Sequence, residues 1–142
     1  MTITDCRAPN EGAPVMVRPR VFISFQMEDR WARDFLKEHA RGSDNEIQFI
    51  DYSVQDPFDN SWKTQCKLRI AQTQGTIVLI GPTTYRSEAV EWEIRETIDQ
   101  GHHIFGIQID SDETHRIPNG LPASNVIRWN FSAIAGQLSS WV

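Results

Sequence analysis

Residues Thr76–Gln100 read TIVLIGPTTYRSEAVEWEIRETIDQ, and the order of signals in this stretch decides the fold. An apolar run, Thr76–Ile80, ends at Gly81-Pro82. A short polar turn follows, and a helical pattern then opens near Ser87 and closes before Gly101, a residue suited to the position just past a helix end. At about 100° per residue, Val90, Ile94, Thr97 and Ile98 form one buried stripe. Glu93 falls on the edge of that stripe, whereas Glu88 and Glu96 point away from it. A helix that starts beside the carboxyl end of its strand starts where open α/β sheets bind ligands. A half-buried acid there is a candidate for chemistry.

Working outward, apolar runs alternate with helical patterns. Arg20–Phe25 is a first strand, and Met27–Arg41 a helix with Trp31, Phe35, Leu36 and His39 at helical spacing. Glu46–Tyr52 is a second short strand, followed by a polar loop, Ser53–Asn60, with Asp56-Pro57 marking a turn. Trp62, Cys66 and Ile70 recur every fourth residue, which predicts a helix capped by Asn60 or Ser61. Beyond the central stretch, Ile104–Ile109 is a fourth strand, Asp110–Ser124 a loop, Val126–Trp129 a fifth strand and Phe131–Trp141 a closing helix. Such alternation requires crossover connections. It predicts a flavodoxin-like three-layer α/β sandwich, a mainly parallel five-stranded sheet in the order 2-1-3-4-5 with helices on both faces.

Composition bounds the function. A chain of 142 residues, 39% hydrophobic and 23% charged, makes one globular domain with a single core. The net charge of −5 and the absence of a basic run exclude nucleic acid as the main partner. No apolar stretch approaches the roughly 20 residues of a membrane helix. Residues 1–18 have neither the basic nor the apolar segment of a secretory signal and read as a flexible lead-in to a domain over 19–142; Met16 is a plausible alternative start. Two cysteines, Cys6 and Cys66, make no disulfide framework, so a reducing cytoplasm is the expected location.

The switch point of the predicted sheet lies between strands one and three. Ser24, Phe25 and Gln26 leave the first strand there, and Pro82, Thr83, Thr84, Tyr85 and Ser87 follow the third. Asp51 and Tyr52 begin the loop that can fold over the opening. With Glu93 this set offers a carboxylate, hydroxyls and aromatic surfaces for a planar base. The bland alternative for Glu93 is an edge-of-core glutamate paired with an arginine or capping a loop amide. Asp51, Asp56 and Asp59 read as turn chemistry around Pro57, and His39, His102, His103 and His115 have no partners at metal-ligand spacing, so no metal site is expected. Cys66, on the core face of its helix, reads as a buried thiol and not a nucleophile. Phosphate-loop, dinucleotide-fingerprint and hydrolase-elbow motifs are all absent. Trp92 projects opposite the buried stripe, which makes it a candidate anchor for self-association.

The segment Ser87-Glu88-Ala89-Val90-Glu91-Trp92-Glu93-Ile94 resembles the Ser-x-Trp-(Cys/Val)-x-x-Glu-(Leu/Ile) segment of Toll/interleukin-1 receptor (TIR) domains. Arg20-Val21-Phe22-Ile23-Ser24-Phe25 is similar to their first strand. The likeness, strongest to the small TIR-like proteins of bacterial Thoeris anti-phage defence, runs from about Arg18 to Ile109. In one respect the chain departs from the pattern: the family's tryptophan, four residues before the glutamate, is Ala89.

This resemblance implies that Glu93 is the catalytic glutamate of an NAD-cleaving enzyme of the NAD nucleosidase or ADP-ribosyl cyclase type. NAD is then the substrate, with no cofactor or metal needed. The implied product is an ADP-ribose-derived signal, cyclic, linear or conjugated, that acts on a separate effector. The competing expectation is a non-catalytic module that works by homotypic contacts. A phospho-receiver domain is disfavoured because the third strand ends Leu79-Ile80-Gly81, without the acceptor aspartate, and Glu28-Asp29 read as well as the charged first turn of a helix. A nucleoside deoxyribosyltransferase-like glycosidase shares the fold and the carboxylate logic but would act on free nucleosides.

Overall fold

The structure, a computed structural model, describes residues 19–41, 48–51 and 61–141. Five strands, β1 (Arg20–Ser24), β2 (Gln48–Asp51), β3 (Gly75–Ile80), β4 (His103–Gln108) and β5 (Val126–Arg128), form one sheet in the order β2-β1-β3-β4-β5. Every pairing is parallel, as the strand–helix alternation predicts. β3 is buried at all its positions, the signature of a central parallel strand covered on both faces. The lead-in proposed for residues 1–18 lies outside the described residues, as does Tyr52.

Among the described residues, four helices complete the layers: α1 (Arg30–Arg41), α2 (Ser61–Ala71), α3 (Glu88–Asp99) and α4 (Phe131–Ser139). Strand alternation sorts the core. Val21, Ile23, Ile77, Leu79, Phe105 and Ile107 pack with Ala32 and Leu36 of α1 and Ile134 and Leu138 of α4. On the other face Val78 and Ile80 meet Val90 and Ile94 of α3, and Phe22 meets Cys66 and Ile70 of α2.

The ends of α3 follow from local sequence. The Ser87 hydroxyl accepts from the Val90 amide at 3.1 Å, capping the first turn. At the other end Gly101 adopts φ +75, its amide bonds Ile98 O and the His102 amide bonds Thr97 O. These two bonds close the helix in a Schellman motif.

Some expectations are corrected. The helix predicted from Met27 begins as a 3-10 turn, Met27–Asp29, before α1 proper. In α1, Ala32 and Leu36 face the core while Trp31 and Phe35 are about half exposed. The buried arc of α3 is Val90, Glu93, Ile94 and Thr97, with Ile98 exposed. The helix is therefore rolled toward Glu93, placing the acid inside the stripe. Trp92 does not stand free in solvent. It is half-buried and meets Trp62 of α2 edge-on, with ring centroids 5.3 Å apart.

Candidate functional site

Three elements converge on the Glu93 carboxylate. Ser24, the last residue of β1, donates its hydroxyl to Oε1 at 2.5 Å, and Cys66, midway along α2, donates its thiol to Oε2 at 3.2 Å. The main chain at Glu93 is fixed as well. Thr97 Oγ1 donates to Glu93 O at 2.7 Å and lies 2.7 Å from Thr76 Oγ1 on β3, so a chain of hydroxyls ties this turn of α3 to the sheet.

Glu93 is 4% exposed. Burial pushes its carboxyl up to about 7, and the bonds from Ser24 and Cys66 pull it down only in part. Among the described residues no Lys, Arg or His pairs with it. The ion pair of the bland reading is therefore not what holds this acid; two neutral donors do. Cys66 is itself fully buried. That burial, and next the Glu93 charge, push its thiol far up, so the sulfur is a donor and not a thiolate. A carboxylate has about four acceptor positions, so two remain for a ligand.

The other candidate residues hold different positions. Ser24 is fully buried and meets the acid directly. Phe25 is half-buried with the Arg33 guanidinium 5.1 Å above its ring, and Gln26 Nε2 reaches Thr83 O at 3.4 Å. Thr84 is buried, accepting from the Gly81 amide at 2.8 Å and lying 3.3 Å from Leu79 O, so it closes the turn after β3. Tyr85 has two guanidinium groups against its ring, Arg86 at 5.3 Å and Arg116 at 4.9 Å from the ring centre. Ser87 is engaged as the cap of α3. Asp51 ends β2, paired in register with Ile23.

Sequence reasoning passed over a second buried acid. Asp29 is 3% exposed. Burial, then the neighbouring Glu28, push its carboxyl up to about 6. It lies against Gly81, where a Cβ would come within 2.3 Å of its Oδ2. The usable signal was the glycine at the end of a fully apolar strand, since a missing side chain there leaves room for another. His115, read as isolated, has a partner. Its Nε2 contacts Asp110 Oδ2, and its main chain is clamped by the Gln108 amide at 2.8 Å in both directions. With Glu113 these two residues bring one ligand atom each within 4.8 Å of one another, the carboxylates being partly or fully exposed.

A parallel sheet in this order, with a buried carboxylate on the helix after β3, defines an α/β domain of flavodoxin-like architecture. Residues 22–114 match the family described as Thoeris protein ThsB, TIR-like domain. The chain belongs to that family, and the match includes Ser24, Cys66 and Glu93. Among solved structures it is similar to the TIR domain of the Toll-related receptor TRR-2 from Hydra magnipapillata, at 16% identity and a TM-score of 0.58, covering 84% of this chain and 91% of that one. A prokaryotic SEFIR domain aligns at 14% identity and a TM-score of 0.44, over 86% and 88% of the two chains. No curated protein matches the chain. No helix among the described residues is long and apolar enough to cross a membrane.

Proposed function

We propose that this protein cleaves the nicotinamide–ribose bond of NAD and transfers the ADP-ribosyl group to an acceptor, making a signal for a separate effector in anti-phage defence. The observation that carries this reading is the Glu93 carboxylate, buried, held by two neutral donors and without a protein cation among the described residues. A desolvated anion with no counter-charge gains most from a ligand that brings positive charge to it, because the low local dielectric strengthens the attraction.

NAD carries that charge on its pyridinium. As the C–N bond breaks, nicotinamide leaves neutral and the positive charge passes to the sugar, so no acid is needed to protonate the leaving group. Glu93 steadies the oxocarbenium-like centre and takes ribose hydroxyls on its remaining acceptor positions. The acceptor X–H then forms its bond to the same carbon and loses its proton, giving ADP-ribosyl–X, nicotinamide and H⁺. With water as X–H the outcome is hydrolysis; with a group of the same nucleotide it is cyclisation.

The test is incubation of concentrated protein with NAD, with and without lysate from phage-infected cells, following nicotinamide and ribose-containing products by chromatography and mass spectrometry. Wild type should release nicotinamide, and Glu93→Gln should lose about 100-fold or more, the scale of losing one preorganised charge-stabilising group. Equal turnover by the two proteins would refute the assignment.

A further inference from the structure

The Cys66 thiol is left over by this mechanism: fully buried, too protonated to attack anything, and 3.2 Å from the reactive acid. We propose that Cys66 is a positioning residue, whose S–H holds Glu93 Oε2 while the Ser24 hydroxyl holds Oε1, fixing the plane of the carboxylate and favouring its ionised form. As a role within the NAD-cleaving site, the inference rests on the function proposed above.

The geometry supports a clamp because the two donors come from different elements, β1 and α2, and each bonds a different oxygen of the acid. Ser24 is fixed by the β1–β3 ladder, in register with Val78, and Cys66 by the α2–sheet core with Phe22 and Ile70. A carboxylate anchored at one oxygen can rotate about its terminal torsion, which has a broad minimum; anchored at both, it cannot. The groups facing Glu93 are few. β1 supplies Ser24, β3 supplies Thr76 through Thr97, α3 carries Glu96 one turn away, and α2 supplies Cys66, on which Arg69 and Glu96 act in opposite directions. Among the described residues, only Ser24 and Cys66 donate hydrogen bonds to the carboxylate.

A thiol is a weak donor, suited to holding the acid without quenching it. Its removal leaves Oε2 buried and without a donor, which disfavours the anion. Replacement by serine keeps a donor at the site and a stronger one.

The experiment follows the Glu93 side-chain carbon by NMR as pH is varied, in wild type, Cys66→Ala and Cys66→Ser, and in parallel the pH dependence of kcat/KM for NAD. In Cys66→Ala the titration midpoint should rise by about one pH unit, the size of a modest charge-assisted hydrogen bond. In Cys66→Ser, where the stronger hydroxyl donor favours the anion further, it should fall below the wild-type value. A merely space-filling cysteine would leave the midpoint unmoved in both variants, and that result would overturn the proposal. Should Cys66→Ala not fold, Cys66→Ser decides, since a hydroxyl that leaves the midpoint unchanged is not bonded to the acid. The NMR readout does not depend on turnover. A shifted midpoint in a protein that never cleaves NAD would sustain the clamp and discard the enzymatic reading.

Discussion

Ser24 and Glu93 are 69 positions apart in sequence, yet the serine hydroxyl lies 2.5 Å from the glutamate Oε1, both of them buried. The bond joins the end of β1 to the second turn of α3, at the carboxyl ends of the strands, the side on which open α/β sheets generally bind ligands. Ser24→Ala removes the donor while leaving the strand intact. Loss of a hydrogen bond to a charged group, worth about 1.5–3 kcal/mol, should lift the Glu93 midpoint and cut NAD cleavage at pH 7 by about tenfold or more. Raising the pH to 8.5 should restore part of the rate, because the acid ionises again. A variant as active as wild type at pH 7 would show that the bond has no part in the reaction.

The burial of Glu93 makes stability depend on pH in a predictable direction. Its carboxyl is raised from about 4.5 to about 7 in the fold, so between these values the unfolded chain has released a proton that the folded chain keeps. Stability therefore falls as pH rises through this window and levels off above it. At about 1.4 kcal/mol for each pH unit of separation, the ionised acid costs the fold about 3 kcal/mol above pH 7. Glu93→Gln removes the charge and still accepts from Ser24. Thermal unfolding should find the variant more stable than wild type at pH 8, with the gap closing toward pH 5. Parallel curves across that range would show that burial does not perturb this acid.

The same ionisation should govern catalysis. In the free protein the Glu93 carboxylate is about half ionised near pH 7, so under the proposed function kcat/KM for NAD should fall about tenfold per unit below that point and reach a plateau above it. NAD bound as proposed would place a cation beside the acid and favour its anionic form, so the acid limb of kcat should lie at lower pH than that of kcat/KM. Steady-state rates between pH 5.5 and 8.5 test both statements; a flat profile would exclude Glu93 as the titrating group.

What could be read from sequence was what local pattern encodes. The apolar run of β3, the helix opening near Ser87, the Gly101 stop and the place of Glu93 beside a buried stripe all depend on residues within a turn or two of one another. The partners of Glu93 were not legible as partners. Ser24 and Cys66 appear as a strand-end hydroxyl and a core thiol, and only the packing of α2 and α3 over β1 brings them to one carboxylate. The Trp62 contact of Trp92 was hidden for the same reason, because a single helix cannot show that a ring of its neighbour will pack against it. The roll of α3 that exposes Ile98 is likewise set by its contacts with β1, β3, β4 and α2. Asp29 looks like ordinary first-turn charge until Gly81 is seen to make room for it.

That room gives a last prediction. An added Cβ at Gly81 would lie 2.3 Å from Asp29 Oδ2, 2.6 Å from Oδ1 and 2.7 Å from Cγ, far inside contact distance. The aspartate has little freedom to retreat: its side chain is short and buried, and Oδ2 is 3.5 Å from the Thr84 hydroxyl that closes the turn. Gly81→Ala should therefore destabilise the fold by about 1–3 kcal/mol, the usual cost of overpacking a tight site, read as a lower denaturant midpoint at unchanged slope. In an Asp29→Ala background the clashing atoms are gone, and the same substitution should cost clearly less, with a coupling of about 0.5–3 kcal/mol between the two sites. If Gly81→Ala is equally costly in both backgrounds, the glycine is required by something other than the carboxylate beneath it.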